Sequence, residues 1–386
     1  MANEIYNSSW WGNPTIAGWG NIYYQFAFPS PLSNRFSSRV IADGGTVESL
    51  DCVEAADFNT ANWNYYFRVI DDGGVVESLD CVDNLEIVVP DVDPNLFITR
   101  WRTTAAGETI TIPTSGGGFN YTVTTSDGRT FNNTTGNQSI TFATAGEYDV
   151  SISGAFPYIR FNNGGDKDKI IDIKQWGNIV WSSFLNSFKG CSNLDGTYTD
   201  TPNLSSVTSM VSAFRDCYVF TGKTSNWDTS SVTNMNSMFR NAELFNSDCS
   251  SWDVSSVTAM ASMFQQARAF NQDIGAWDVS NVTSMNLMFS TTNLFDQNLE
   301  SWNISKVTNF GNFKTVGVFS TANYDALLIG WNNTLLAQFP GGVGYTPLTS
   351  QTRFTNSQYT AGGAAESARS SLASVFNWSI IDGGTA

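Results

Sequence analysis

The sequence predicts a mainly β protein with short helices whose second half is a solenoid of 25-residue repeats. Three observations predict it. Trp227, Trp252, Trp277 and Trp302 are each 25 residues apart, and Val232, Val257, Val282 and Val307 keep the same step, as do Met235, Met260, Met285 and Phe310. Charged residues make up only 14% of the 386, against abundant Ser, Thr, Asn and Gly, a composition suited to strands and turns. Ahead of the repeats, apolar and polar residues alternate between Gly, Asn and Asp-Gly turn signals, the period of half-buried strands.

The elements follow in order. Residues 1–90 read as a β-rich anchoring region with an internal duplication: RVIADGGTVESLDCV (39–53) recurs as RVIDDGGVVESLDCV (68–82), which makes Cys52 and Cys81 equivalent. Before it lies an aromatic, Gly-rich start, NSSWWGNPTIAGWGNIYYQF, that lacks a self-sufficient core pattern and suits contact with a partner surface. After an Asp/Pro linker (VVPDVDPN), residues 95–160 read as a small β-sandwich. Residues 161–320 hold the repeats. Within one unit, Met260, Met263, Phe264 and Ala267 fall at i, i+3, i+4 and i+7, which predicts a short helix, with Asp253 or Ser255 placed to cap it. Ile274 and Trp277 predict the inner side of a short strand. Such a unit cannot bury its apolar stripe alone, so units must stack. Residues 321–386 read as a cap, with Tyr324, Leu327, Leu328 and Trp331 on one helical face, Ala365, Ala368 and Leu372 on another, and a last strand in WSIIDGG.

The same residues exclude several function classes. A formal charge of −16 disfavours nucleic acid and anionic lipid as partners. With no histidine, Ser-His-Asp and Cys-His nucleophiles, His metal sites and imidazole bases are ruled out. Five cysteines without a CxxC pair indicate neither a zinc site nor a disulfide framework; Cys191, Cys217 and Cys249 are expected as buried thiols, a Cys191–Cys217 bond being the alternative. The start lacks the basic and apolar segments of an export signal, and no stretch is long enough to span a membrane. Asp228, Asp253 and Asp278 recur once per unit, which marks them as turn residues rather than a catalytic pair. Asp166 and Asp168 in GGDKDK read as plain turn residues rather than calcium ligands. The expectation is therefore no catalytic residue, no cofactor and no metal.

The units FNQDIGAWDVSNVTSMNLMF, FNSDCSSWDVSSVTAMASMF and LFDQNLESWNISKVTNF resemble the BspA-like leucine-rich-repeat surface proteins of bacteria. TFATAGEYDVSISG is similar to the PKD or Ig-like module that precedes such repeats. The resemblance implies a leucine-rich-repeat-type solenoid and an adhesin of host tissue or glycans. The Trp/Gly-rich start and its duplicated segments are similar to structural proteins of phages of Bacteroidetes hosts. Together these imply a phage virion protein, multimeric on the particle, whose residues 1–90 contact other virion proteins and whose repeats bind a host-surface glycan or mucin. The alternatives are a bacterial cell-surface adhesin and, third, a glycan-degrading enzyme. Flanking Ile274 and its equivalents, Ser247, Gln272 and Gln297 form one expected outward column, and Asp248, Asp273 and Asn298 a second. Amides, carboxylates and hydroxyls in ladders suit sugar hydroxyls, which both donate and accept.

Overall fold

The computed structural model describes residues 93–386 and two short strands, β1 (Arg35–Ser38) and β2 (Leu50–Val53), which pair antiparallel with Phe36 opposite Cys52. The rest of residues 1–90, with the aromatic start, the second copy of the duplication and the anchoring role, lies outside the described residues. Contacts divide the chain into Met1–Val89 and Pro90–Ala386.

Alternation builds the first layer of Pro90–Ala386. β3 (Phe97–Thr103), β5 (Asn120–Thr125), β6 (Thr130–Thr134) and β8 (Gly146–Ala155) belong to one sheet, while β4 (Glu108–Ile112) and β7 (Gln138–Phe142) pair separately. On β4 and β7 the buried residues are Ile110, Ile112, Ile140 and Phe142, and on β5 they are Tyr121, Val123 and Thr125. These are the period-2 faces that the sequence predicts. The larger sheet does not stop at residue 160. It continues through β9 (Ile170–Gln175) and β10 (Asp195–Gly196) in the order β10-β9-β3-β8-β5-β6, the β9–β10 pair being parallel.

From there the chain stacks on itself at a fixed step. Parallel bridges join Ser209, Asn234, Ala259, Ser284 and Asn309 in succession. Trp227 and Trp252 stack at 6.2 Å, as do Trp252 and Trp277. The indole N–H groups of Trp252, Trp277 and Trp302 donate to the carbonyls of Thr224, Cys249 and Ile274, which carries the register through all four tryptophans. Phe239, Phe264 and Phe289 form an adjoining column at 5.8–6.0 Å, each also stacked on Phe245, Phe270 or Phe295 at 3.8–3.9 Å. Cys191, Cys217 and Cys249 are buried and free; burial pushes their thiols up.

The predicted short helix and strand within each unit are corrected by the structure. Met260–Ala267 is a run of turns, because Ser262 and Gln266 take left-handed conformations (φ 57° and 62°) that a helix excludes. Its amides alternate in destination. Those of Met263, Gln265 and Ala267 reach back three residues, while those of Ser262, Phe264 and Gln266 donate to Asn286, Met288 and Ser290 of the next rung. Around Ile274 there is a turn (Trp277 N–H to the Ile274 carbonyl, 3.1 Å) and no strand; the inter-rung bridge lies at Ala259.

The far end is closed by α1 (Thr321–Gln338), β11 (Thr352–Arg353), α2 (Ala364–Ser374) and β12 (Ile380–Ile381), with β11 and β12 parallel. Tyr324, Leu327, Leu328 and Trp331 of α1 and Ala365, Ala368 and Leu372 of α2 are buried. Trp331 stacks on Phe310 at 5.1 Å, so the last aromatic rung meets the cap ring to ring.

Candidate functional site

The two predicted polar columns occupy the turns beside Ile274. Asp248, Asp273 and Asn298 are exposed, and Ser247, Gln272 and Gln297 half-buried. Each member of the exposed column closes its own turn: Asp248 Oδ1 accepts from the Ser250 N–H at 2.9 Å, Asp273 Oδ1 from Gly275 at 2.9 Å, and Asn298 Oδ1 from Glu300 at 2.8 Å. Hydrogen bonds from the Ser250 backbone and hydroxyl hold the Asp248 carboxyl below its usual range. A shallow recess of about 300 Å³ brings Asp273 and Asn298 together with Gly275, Ala276, Glu300 and Ser301.

The half-buried column binds its neighbours instead. Ser247 Oγ accepts from the Thr224 N–H. Gln272 Nε2 donates to the carbonyl and side-chain oxygen of Asn246 at 3.0 and 2.9 Å, and Gln297 Nε2 repeats both bonds on Asn271 at 3.0 and 2.8 Å. Behind them runs a ladder that the sequence reading missed. Asn246 Oδ1 accepts from the Asn271 N–H, Asn271 Oδ1 from Asp296, and Asp296 Oδ1 from Ser320 at the start of α1. The signal was there, as Asn246, Asn271 and Asp296 sit 25 residues apart. Gln272 and Gln297 thus have less capacity for a ligand than their position suggests, whereas Asp273 and Asn298 use one side-chain atom each.

Asp228, Asp253 and Asp278 accept from the backbone N–H two residues on, in Ser230, Ser255 and Ser280. Asp166 pairs with Lys169 at 2.9 Å, and Asp168 with Lys167 at 2.7 Å and with the Ser192 hydroxyl at 2.9 Å. A second recess, about 390 Å³, lies on the sheet against Thr124, Thr125, Asp149, Ser151, Lys174 and Gln175. Burial there pushes Asp149 up, but its bonds to Arg100 (2.7 Å) and Lys174 (2.8 Å) prevail and hold the carboxyl low. Among the described residues, no three Cys, Asp or Glu side chains gather as metal ligands would, and no helix is long and apolar enough to cross a membrane.

Residues 182–277 and 208–325 match the family described as "Mycoplasma protein of unknown function, DUF285". That match supports the BspA-like resemblance. It falls on the rungs from Ser182 onward and reaches the first turn of α1, so the matched part of the chain is the stack. Neither the curated proteins nor the solved structures yield a match.

Proposed function

We propose that this chain is a non-enzymatic adhesion protein displayed on a surface, in which residues 161–320 are a leucine-rich-repeat-type solenoid, 95–160 an Ig/PKD-like module, 321–386 a cap and 1–90 an anchor. The family match over the stack carries the reading. The repetition of each polar column at successive rungs adds support, since a repeating surface suits a repeating ligand. The ligand class is a host-surface glycan or mucin, met by Asp248, Asp273 and Asn298 with Ser247, Gln272 and Gln297 behind them, and many copies on one carrier would raise weak single-site affinity by avidity. The carrier we favour is a bacteriophage particle, on the likeness of the duplicated N-terminal segments to phage structural proteins. The second reading, a bacterial cell-surface adhesin, is favoured by the family match.

The test presents the full chain multivalently on a glycan and mucin array beside a Gln272→Ala, Asp273→Ala variant. Adhesion predicts binding by the wild type and loss in the variant. Equal binding by both proteins would remove these columns from the site, and binding to no glycan, mucin or host cell would remove the adhesion reading. Gold-labelled antibody against the chain, imaged on purified particles and on whole cells, separates the two carriers.

A further inference from the structure

Elsewhere on the stack, one column differs in kind from those above. Lys189, Arg215, Arg240 and Gln265 occupy the same position on four successive rungs, as the backbone bonds from Gly190 to Arg215, Asp216 to Arg240 and Asn241 to Gln265 establish (all 2.8 Å). Three adjacent rungs of a chain with a net charge of −16 therefore present a cation each. Among the described residues, Asp216 is the carboxylate paired with this column: its Oδ2 lies 3.4 Å from Arg215 Nε, while its Oδ1 accepts from Asn241 Nδ2 at 2.5 Å. Neither Lys189 nor Arg240 has a carboxylate within 4 Å among those residues.

The hydrogen bonding is also incomplete here. Arg240 Nε, Gln265 Oε1 and, one position on, Asn241 Oδ1 are buried atoms without a hydrogen-bond partner, and Arg215 Nε has only its 3.4 Å ion pair with Asp216. The columns beside Ile274 contrast with this, because their amides and carboxylates engage the protein. A guanidinium that turns onto a carboxylate or sulfate satisfies Nε and one Nη together, the bidentate pairing in which arginine excels. Burial, and the charge of Arg215 after it, pull the Arg240 guanidinium below its usual pKa, and a bound anion would relieve that repulsion. Three residues beyond Arg215, Tyr218 leaves 43% of its surface exposed, a ring on which an apolar sugar face can rest.

We propose that Lys189, Arg215 and Arg240, with Gln265, form a recognition column for an acidic polysaccharide, one carboxylate or sulfate per rung. This rests on the adhesion reading and names a ligand class for it. Rungs about 4.8 Å apart at the bridges match a polymer that bears its anion once per monomer. The net negative charge of the protein weighs against a denser polyanion such as nucleic acid.

Binding of the full chain to immobilised polygalacturonate, dextran sulfate, neutral dextran and poly-L-glutamate tests it. Arg215→Gln/Arg240→Gln is compared with Lys223→Gln/Lys306→Gln, which removes the same charge from another part of the surface. The proposal expects the arginine variant to lose about tenfold or more in affinity for polygalacturonate, dextran sulfate or both, the lysine variant to stay within about twofold of wild type, and dextran to be bound weakly by all. Which of the two polyanions responds tells carboxylate from sulfate. Equal losses in both variants would mean diffuse electrostatics, and tighter binding of poly-L-glutamate an acidic peptide; either overturns the column. Unchanged binding to glycans or host cells by the arginine variant overturns the column and leaves adhesion standing, whereas no binding of the wild-type chain to any of these surfaces overturns both.

Discussion

Lys314 is fully buried, its Nζ donating to the Thr292 carbonyl at 3.1 Å and lying 5.3 Å from the centre of the Phe319 ring. Burial lowers its pKa from 10.5 to about 8, Asp296 acting weakly the other way. Below about pH 8 the folded and unfolded states both carry the charge, so the native state bears the full cost of burying it. Between about 8 and 10.5 the native state sheds the proton first, and stability rises with pH across that window. Lys314→Met should therefore stabilise at pH 7 by on the order of 2 kcal/mol. Urea melts at pH 7 and pH 10 should show the gap between the two proteins closing, and a gap independent of pH would contradict the account. A different strain sits at Thr291, a β-branched residue held at φ 62°. The left-handed region disfavours such side chains by about 1–2 kcal/mol and tolerates asparagine, so Thr291→Asn should raise the midpoint of thermal unfolding.

At the scale of elements, Phe264 is fully buried between Phe239, Phe270 and Phe289, and Phe264→Ala should cost about 3–5 kcal/mol in denaturant unfolding. Gly330 sets helix propensity against packing. Alanine favours a helix by about 1 kcal/mol, yet a Cβ at this point of α1 would lie 2.2 Å from the Glu300 carbonyl oxygen. Gly330→Ala should lower the thermal midpoint, and a rise would mean that α1 can back away from the last rung. The sequence made these aromatic columns and the buried faces of α1 and α2 legible because a residue's burial is written in its spacing. It misled within the rung, because i, i+3, i+4, i+7 spacing also fits a run of three-residue turns. What separates the two is where each amide donates, and half of those donors reach a rung 24 residues on: Ser262 to Asn286, Phe264 to Met288. The candidate site suffered the same way. The 25-residue step aligns Gln272 with Ser247 and Gln297, but its partner Asn246 lies 26 residues earlier, and nothing local to Gln272 announces it.

At the scale of the described unit, one apolar core runs from the sheet through the rungs to α2, with Phe310 and Phe313 packed directly against Trp331 of the cap. Truncation after residue 318 should expose those rings and turn a single species into larger assemblies by light scattering; a stable truncated monomer would show that the rungs need no end. Along the exposed side of the same unit, Thr233, Thr258, Thr283 and Thr308 each donate both N–H and hydroxyl to the threonine one rung before, and Thr349 repeats both bonds on Thr308. Every rung thus offers its successor the acceptor it took from its predecessor, so along this column the cut faces on either side of a unit match. Excising residues 253–277, which joins Trp252 to Asp278 in phase, should leave a protein that still folds, with a lower thermal midpoint. Length in this architecture is then a quantity that duplication and deletion of whole coding units can adjust without redesigning either terminus, so reach can change while both ends stay as they are.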